Sequence, residues 1–398
     1  MKVDVAVVGG GPAGLLAART IAAGGHETVV VERQRAIAEA VRTSGATAGT
    51  TMTAFGVPRE LYHPVPRLRI ASPGSTVTLD CGDEGLCVID VRGVYRWLAR
   101  SAEDEGARIL TGAVADEPVL ERGFVAGLDV RHGGERIRVA ARIVVDAGGH
   151  RAQISKRAGL HAGFTRFGVG AEYELVAPRI DQGEAVLILS NRYAPSGYAW
   201  AFPWGRARVR LGVGVHHADV RSNPRRHLQL LAAEGDRFAL DLAGARRDEV
   251  HFGLVPAGGV APTFVGDGIL AVGDAAGQAT LVVGEGIRLS LVAGRLAGEA
   301  VVSALTRSRT DRGALETYER EFRRRYERDL RIGHVLNRRL STMPDAEWDE
   351  RLPMLEAMPP GLALQLLQSH FRVRELAPWL VRNPRQWRRA APLLRALR

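Results

Sequence analysis

The sequence has almost no lysine. Of its 54 basic residues only Lys2 and Lys156 are lysine, so 52 are arginine. A bias this complete reflects the base composition of the coding sequence rather than a binding function. Cysteine is equally scarce, with Cys81 and Cys87 alone. Two are too few for a disulfide framework, which points to free thiols in a reducing, cytoplasmic setting. No apolar run reaches the ~18 residues of a membrane span, and no charged-then-apolar leader precedes the first strand pattern. Glycine is plentiful at 46 residues but has no three-residue period, which excludes collagen. With 46% hydrophobic and 25% charged residues the chain is not disordered. Its 398 residues suffice for two or three domains at roughly 100–200 residues each. There is no internal repeat and no low-complexity linker.

What is present in excess is positive charge, and it is unevenly placed. The formal net charge is +10, and residues 361–398 carry eight Arg against one acid, Glu375. In that tail arginine alternates with apolar stretches (LALQLL, LAPWLV, APLLRAL) that include Trp379 and Trp387. Two readings fit. Such helices lie on an anionic membrane with Trp at the interface, or they cap the rest of the protein with Arg on the wet side. Nucleic-acid binding is not expected, because no nucleic-acid fold signature accompanies the charge.

Residues 3–8 (VDVAVV) read as a buried strand, followed by a helix over about 13–23 and a second strand over 28–31. Between them VVGGGPAGLLAA contains G-x-G-x-x-G at Gly9, Gly11 and Gly14, and Glu32 stands 23 residues after Gly9. Each residue type has a physical task. Gly9 permits the tight turn, Gly11 lets backbone N–H groups approach a pyrophosphate, and Gly14 allows close helix–strand packing. Glu32 accepts from a ribose diol. The helix N-terminus adds unpaired donors and a positive dipole. The context of strand, turn, helix and distal acid predicts an adenine-dinucleotide site.

Further along, 67–90 reads as short strands with turns at Pro73-Gly74 and Gly82-Asp83, so that Cys81 and Cys87 flank a hairpin turn, CGDEGLC. An amphipathic helix over 91–105 and strands within 107–146 and 168–216 follow. His216-His217 ends a strand with no Cys or H-x-x-x-H partner, so a metal site is not expected. Beyond Asp311 the chain reads as helix broken by prolines.

A second glycine-rich strand end, ILAVGDAAGQATLVVGEGIRLSL, contains Gly273-Asp274 and then Gly284-Glu285-Gly286 before a long helix. Here the sequence resembles FAD-dependent oxidoreductases of the aromatic-hydroxylase type. The resemblance implies that Asp274 holds a ribityl hydroxyl. It also implies that the turn through Gly284, Gly286 and Ile287 faces the flavin pyrimidine edge. Arg92, in VIDVRGVYRWLARSAEDEGA, is implied as an FAD contact, as are Pro12, Ala13, Arg33 and Val114. Asp146-Ala147-Gly148-Gly149 resembles the third marker, D-x-D-G, with Gly148 in place of the second acid.

The segment APSGYAWAFPWG is similar to the P-x-x-Y-x-W-x-F-P pattern of the geranylgeranyl reductase family, through Pro195, Tyr198, Trp200, Phe202 and Pro203. The following LGVGV matches as well. Alternation puts Tyr198, Trp200 and Phe202 on one strand face as an apolar wall, with Pro203 expected to end the strand. Two positions depart from the family. Leu281 stands where Pro precedes the G-x-G-I turn, and Arg42-Thr43-Ser44-Gly45 replaces the R-C-G of the archaeal lipid reductases.

The resemblance implies an α/β fold: an FAD-binding Rossmann-like domain (1–60, 88–160 and 255–305) interleaved with a mixed β-sheet substrate domain (61–87 and 161–254), followed by a helical C-terminal region (306–398). It implies FAD-dependent reduction of C=C bonds in a polyprenyl, geranylgeranyl-type lipid or isoprenoid. NAD(P)H or an external electron carrier serves as reductant, since no second dinucleotide fingerprint exists. Tyr198 is the candidate proton donor. The alternative is an FAD-dependent monooxygenase of a biosynthetic pathway. A halogenase needs a lysine to capture hypohalous acid, and neither Lys2 nor Lys156 suits that role. A non-redox use of FAD, as in cyclase-like relatives, is the third class. A prenyl-lipid substrate would suit peripheral membrane association through 361–398.

Overall fold

The computed structural model describes residues 1–217 and 219–391. The chain opens with β1 (Lys2–Val8), α1 (Pro12–Ala23) and β2 (Thr28–Glu32), then β3 (Ala46–Thr47), α2 (Gly49–Ala54) and β4 (Tyr62–Pro64). The hairpin β5 (Arg67–Ala71) and β6 (Thr76–Asp80) leads through a helical turn, α3 (Gly82–Gly85), to β7 (Cys87–Ile89) and α4 (Val91–Asp104). Four strands follow, β8 (Arg108–Thr111), β9 (Ala113–Glu121), β10 (Phe124–His132) and β11 (Glu135–Asp146), then α5 (Gln153–Arg157). The next group is β12 (Phe167–Val176), β13 (Glu184–Ile188), β14 (Tyr198–Gly205), β15 (Arg208–His217), α6 (Pro224–Ala233) and β16 (Arg246–Pro256). The chain returns through β17 (Val265–Gly266) and β18 (Ile269–Ala271) to α7 (Ile287–Thr306) and α8 (Arg312–Leu340). It continues with α9 (Asp345–Arg351), α10 (Pro353–Glu356), α11 (Pro360–Leu367) and α12 (Val373–Arg382).

The first sheet has the order β17-β18-β11-β1-β2-β8, and β9 and β10 extend it as a ribbon paired to β11. β18, β11, β1, β2 and β8 run parallel, so both faces are covered and its strands are continuously apolar. α1 and α7 pack on one face through Ala17, Ile21, Val292 and Ala297 against Val5, Val7, Ile143 and Val145. The ribbon covers the other through Leu128 and Val130 against Ala6, Val29 and Val144. α7 is long and apolar enough to cross a membrane, but it is mostly buried inside this core.

The second sheet has the order β16-β12-β15-β14-β13-β5-β6 and is mixed: β13 pairs parallel with β5, and its other pairs are antiparallel. A small third sheet, β3-β7-β4, stands between the two. One residue fixes this junction. Arg210 on β15 is 1% exposed. Its guanidinium donates to the Ser44 carbonyl (2.8 Å) and the Ile89 carbonyl (3.0 Å), reaches Glu174 (3.5 Å) and lies 4.8 Å from the Trp204 ring centroid.

Two sequence expectations change here. CGDEGLC is not a hairpin turn: Gly82 adopts φ +60°, Asp80 caps its N–H at 2.9 Å, and α3 carries the chain from the second sheet to the third. Cys81 and Cys87 are free and buried, and burial pushes their thiols up to about 11 and about 12. Nor does Pro203 end its strand, because β14 continues to Gly205. The proline is tolerated there because the ladder to β13 stops at Ala201 and a bulge separates Pro203 from Gly205.

The described part of the tail is a cap. Leu362, Leu366, Phe371, Leu376, Trp379 and Leu380 share one cluster with Leu68, Ile70, Leu79, Trp200 and Phe202 of the second sheet. Trp379 donates its indole N–H to the Ala357 carbonyl at 3.2 Å. Trp387 and Val381 remain exposed. The final apolar stretch, 392–397, lies outside the described residues.

Removing the Arg210 guanidinium leaves the Ser44 and Ile89 carbonyls without its donors, at about 1–3 kcal/mol each, while Glu174 keeps its ion pair with Arg208 at 2.6 Å. Arg210→Met is therefore expected to lower unfolding free energy by about 2–5 kcal/mol in chemical denaturation. Arg138→Ala, which removes only an exposed pair with Asp129, leaves the midpoint unchanged.

Candidate active site

The turn after β1 is built on close backbone approach. Gly9 holds φ +100°, and a methyl there would overlap the Ala147 carbonyl. A methyl on Gly14 would overlap the carbonyl of Gly9, which is why α1 can start so near the strand end. Gly11 faces open space. It is the helix N-cap, with Pro12 at the first helical position, so the first amides of α1 face a cavity of about 340 Å3. Glu32 at the end of β2 braces the turn, its carboxylate accepting from the N–H of Gly10 (2.6 Å) and of Gln34 (2.8 Å). Each oxygen keeps acceptor capacity toward the cavity.

Gly9, Gly11, Pro12, Ala13, Glu32, Arg33 and Val114 line this cavity together with Gly273, Asp274, Gly284, Gly286 and Ile287. Two residues expected there are not on its wall. Gly14 packs beneath it. Arg92 instead makes a two-pronged ion pair with Glu249 of β16, at 2.9 and 2.7 Å. Asp146, at the third marker, is fully buried and braces the neighbouring turn by accepting from Gly148 N–H (2.9 Å), Ser155 N–H (2.7 Å) and Ser155 Oγ (2.6 Å).

The chemistry of this wall fits FAD. Helix-terminal amides and the arginines Arg33, Arg42 and Arg151 meet on it, and burial with mutual repulsion from Arg42 and Arg151 lowers the Arg33 pKa. This concentration of positive charge suits a pyrophosphate. On the same wall the Asp274 carboxylate has no hydrogen-bond partner among the described residues, and burial pushes its pKa up to about 6.

Two smaller cavities adjoin the first. One of about 130 Å3 shares Arg42, Thr43, Val255 and Gly284 with it. Another of about 100 Å3 shares Thr43, Ser44, Tyr198 and Gly284 with the second. The aromatic face of β14 divides them, with Trp200 on the second and Phe202 on the third, while Pro203 lines neither and pairs with Val209. Tyr198 and Trp200 are 5.7 Å apart, and Trp200 stacks on Phe202 at 6.1 Å.

This wall is more polar than its sequence suggests. Tyr198 donates its hydroxyl to the Val283 carbonyl, and burial raises the pKa of the phenol. It anchors the loop that carries Gly284. Trp200 donates its indole N–H to Glu172 at 2.8 Å. The glycines of LGVGV make this possible. Gly212 lies directly between Trp200 and Glu172 in the ladder, and any side chain there would occupy the place of the indole. Glu172 and its neighbour His251 line the second cavity; no local motif marked either one. His216 also lines it, with Nε2 2.9 Å from the Asn337 amide, and burial lowers its pKa to about 4. No cluster of metal-ligating side chains exists among the described residues.

The fold and the dinucleotide cradle define an FAD-dependent oxidoreductase, and comparison with known proteins narrows the class. The family described as FAD binding domain matches residues 2–331. The digeranylgeranylglycerophospholipid reductase of Methanothrix thermoacetophila is 32% identical over 331 residues, covering 81% of this chain and 83% of that protein. Digeranylgeranylglycerophospholipid reductase 2 of Methanothermobacter thermautotrophicus is 29% identical over 362 residues, covering 89% and 92%. Among solved structures, a geranylgeranyl bacteriochlorophyll reductase-like protein from Thermoplasma acidophilum matches with a TM-score of 0.86 at 23% identity, covering 97% of this chain and 99% of that one. A triple mutant of a flavin-dependent brominase shares the fold, with a TM-score of 0.74 at 16% identity over 97% of this chain and 100% of that one. The chain belongs to the FAD-binding domain family of flavoproteins, in its geranylgeranyl-reductase-like branch.

The sign of the Asp274 shift gives a pH dependence. A carboxyl whose folded pKa is raised contributes stability below the unfolded value of about 4 and loses it as pH rises through about 6. Flavin-free wild type is expected to lose stability relative to Asp274→Asn between these pH values, as read from thermal unfolding midpoints. Saturating FAD should reduce the difference.

Proposed function

We propose that the protein reduces C=C bonds of a polyprenyl lipid carrying geranylgeranyl-type chains, with NAD(P)H or a separate electron carrier as the source of electrons. The observation that carries this reading is the third cavity. It opens beside the flavin-edge turn at Gly284–Ile287 and is walled by Leu68, Leu187, Phe202, Leu364 and Leu367. Its aliphatic and aromatic side chains suit a hydrocarbon chain, and its polar members Thr47, Glu285 and Gln368 are hydrogen-bonded to other protein groups. The names of the archaeal relatives, digeranylgeranylglycerophospholipid reductases, support the same chemistry.

FAD, when bound and reduced, supplies a hydride. Gly9, Gly11 and the start of α1 would hold its pyrophosphate, Glu32 its ribose diol and Asp274 its ribityl chain. The chain's remaining task is to orient the alkene and exclude water. Tyr198 fixes the Val283–Gly284 backbone, and the stacked Trp200 and Phe202 present a flat apolar surface next to it. α11 closes the cavity from outside through Leu364 and Leu367.

Mass spectrometry of prenylated lipids after incubation with dithionite-reduced holoenzyme tests this reading. It predicts mass gains in steps of two hydrogen atoms. A gain of one oxygen under air and NADPH, with no hydrogen gain, would overturn it in favour of a hydroxylase.

A cytoplasmic protein working on such a substrate has to meet a bilayer, and we assign that contact to the tail, 361–398. Exposed Val381 and Trp387 stand there among Arg382, Arg385, Arg388 and Arg389, a pattern suited to an anionic interface. Trp387→Ala combined with Val381→Ser is expected to weaken sedimentation with anionic vesicles several-fold while FAD content stays unchanged. Equal sedimentation would leave the tail as a cap only.

A further inference from the structure

A row of four residues crosses the second sheet in direct register: Trp200 on β14 faces Gly212 on β15, Gly212 faces Glu172 on β12, and Glu172 faces His251 on β16. Because Gly212 has no side chain, the row acts as a chain of polar contacts. The Trp200 indole donates to Glu172 Oε2 at 2.8 Å, and His251 Nδ1 lies 3.0 Å from Glu172 Oε1. On the other side of the ring, Nε2 lies 3.0 Å from Glu249 Oε2. Glu172 and His251 are 4% and 5% exposed, whereas the Glu249 side chain is 40% exposed and held by Arg92. The row therefore begins at the second cavity and ends at solvent.

An ionised carboxylate only accepts hydrogen bonds. A ring placed between two of them satisfies both contacts only when both nitrogens carry hydrogen, so the arrangement stores a proton on His251. Burial opposes the charged ring, but the hydrogen bonds to Glu172 and Glu249 outweigh it, and the pKa of His251 lies above the usual histidine value. The other charged groups around the ring are Glu174 on β12 and Arg92 on α4, with Arg42 on the loop against Gly253. A buried ion cluster with no task is weak evidence for stability. This one joins solvent to the wall of the second cavity, which meets the third at Thr43, Tyr198 and Gly284.

We infer that Glu172 is the acid that protonates the substrate and that His251 is its proton reservoir, an inference that rests on the alkene-reductase reading. The proton passes from His251 Nδ1 to Glu172 Oε1 and on to one carbon of an alkene held where the second and third cavities meet at Thr43, Tyr198 and Gly284, and the π pair forms the new C–H bond. The other carbon receives the hydride supplied by reduced FAD. The ring is left neutral, and solvent at the exposed Glu249 restores its charge before the next turnover. One C=C bond, one hydride and one proton give one C–C single bond with two new hydrogens.

The test uses holoenzyme with a prenyl lipid. Glu172→Gln keeps the bond from the Trp200 indole and removes the acid. It is expected to lower lipid reduction by about 100-fold, the scale of general acid catalysis, with FAD content and reoxidation of reduced flavin by air unchanged. Wild-type activity should fall as pH rises through the raised His251 pKa, and Glu249→Gln should move that limb to lower pH. Histidine-selective 15N NMR reads the reservoir directly, with both His251 nitrogens protonated at pH 7 in wild type and the titration shifted down in Glu172→Gln. Full activity of Glu172→Gln would overturn the assignment. Wild type inactive on the lipid would instead overturn the functional reading. In that case a His251 ring that is neutral at pH 7, or whose titration Glu172→Gln leaves in place, would overturn the reservoir as well.

Discussion

Everything at the centre of this molecule depends on how one guanidinium is buried. Arg210 leaves solvent almost completely and recovers its hydrogen bonds from Glu174 and from the carbonyls of Ser44 and Ile89. Those carbonyls belong to the loop before β3 and to the end of β7, so a residue of the second sheet fixes the backbone that separates the three cavities. The loop at 42–45 then lines each of them in part. A charge buried this deeply is tolerated only with its partners in place, which makes the junction rigid in one arrangement.

The same sheet builds a surface whose two faces of chemistry are separated by one ring. On one side of Trp200 lie Phe202, aliphatic side chains and the capping helices. On the other lie Glu172 and His251. The indole belongs to both: its ring closes the apolar side and its N–H satisfies the buried carboxylate. This explains why an aromatic residue with a polar edge stands at the middle of the Y-x-W-x-F series and why glycine stands opposite it. Tryptophan and tyrosine in such places need a partner for their polar tip, and both have one here.

How much of this was legible in the sequence follows from the range of the interactions. The dinucleotide cradle was legible, since Gly9, Gly11, Gly14 and Glu32 act within one local β–α–β unit. The aromatic wall was also legible, because alternation along one strand sets its face. Arg92 shows the limit: its local context matched a cofactor contact, but its side chain is claimed by Glu249, 157 residues away. The segment CGDEGLC carried turn signals that suit a helical turn as well as a hairpin, and only the assignment of β6 and β7 to different sheets decides between them. Glu172 and His251 are 79 residues apart and meet through strand register alone. For the described tail, the pattern of Leu and Trp among Arg is the same for a membrane helix and for a cap. The apolar face of the second sheet supplied what the sequence of the tail could not.

The central claim is that electrons held on the flavin pass to an alkene in the adjoining apolar cavity. Anaerobic spectroscopy of holoenzyme reduced with stoichiometric dithionite reads it most directly. Adding a geranylgeranyl lipid under argon should restore the oxidised flavin band near ~450 nm in proportion to the double bonds reduced. A flavin that stays bleached with the lipid and recovers only when oxygen is admitted would contradict it.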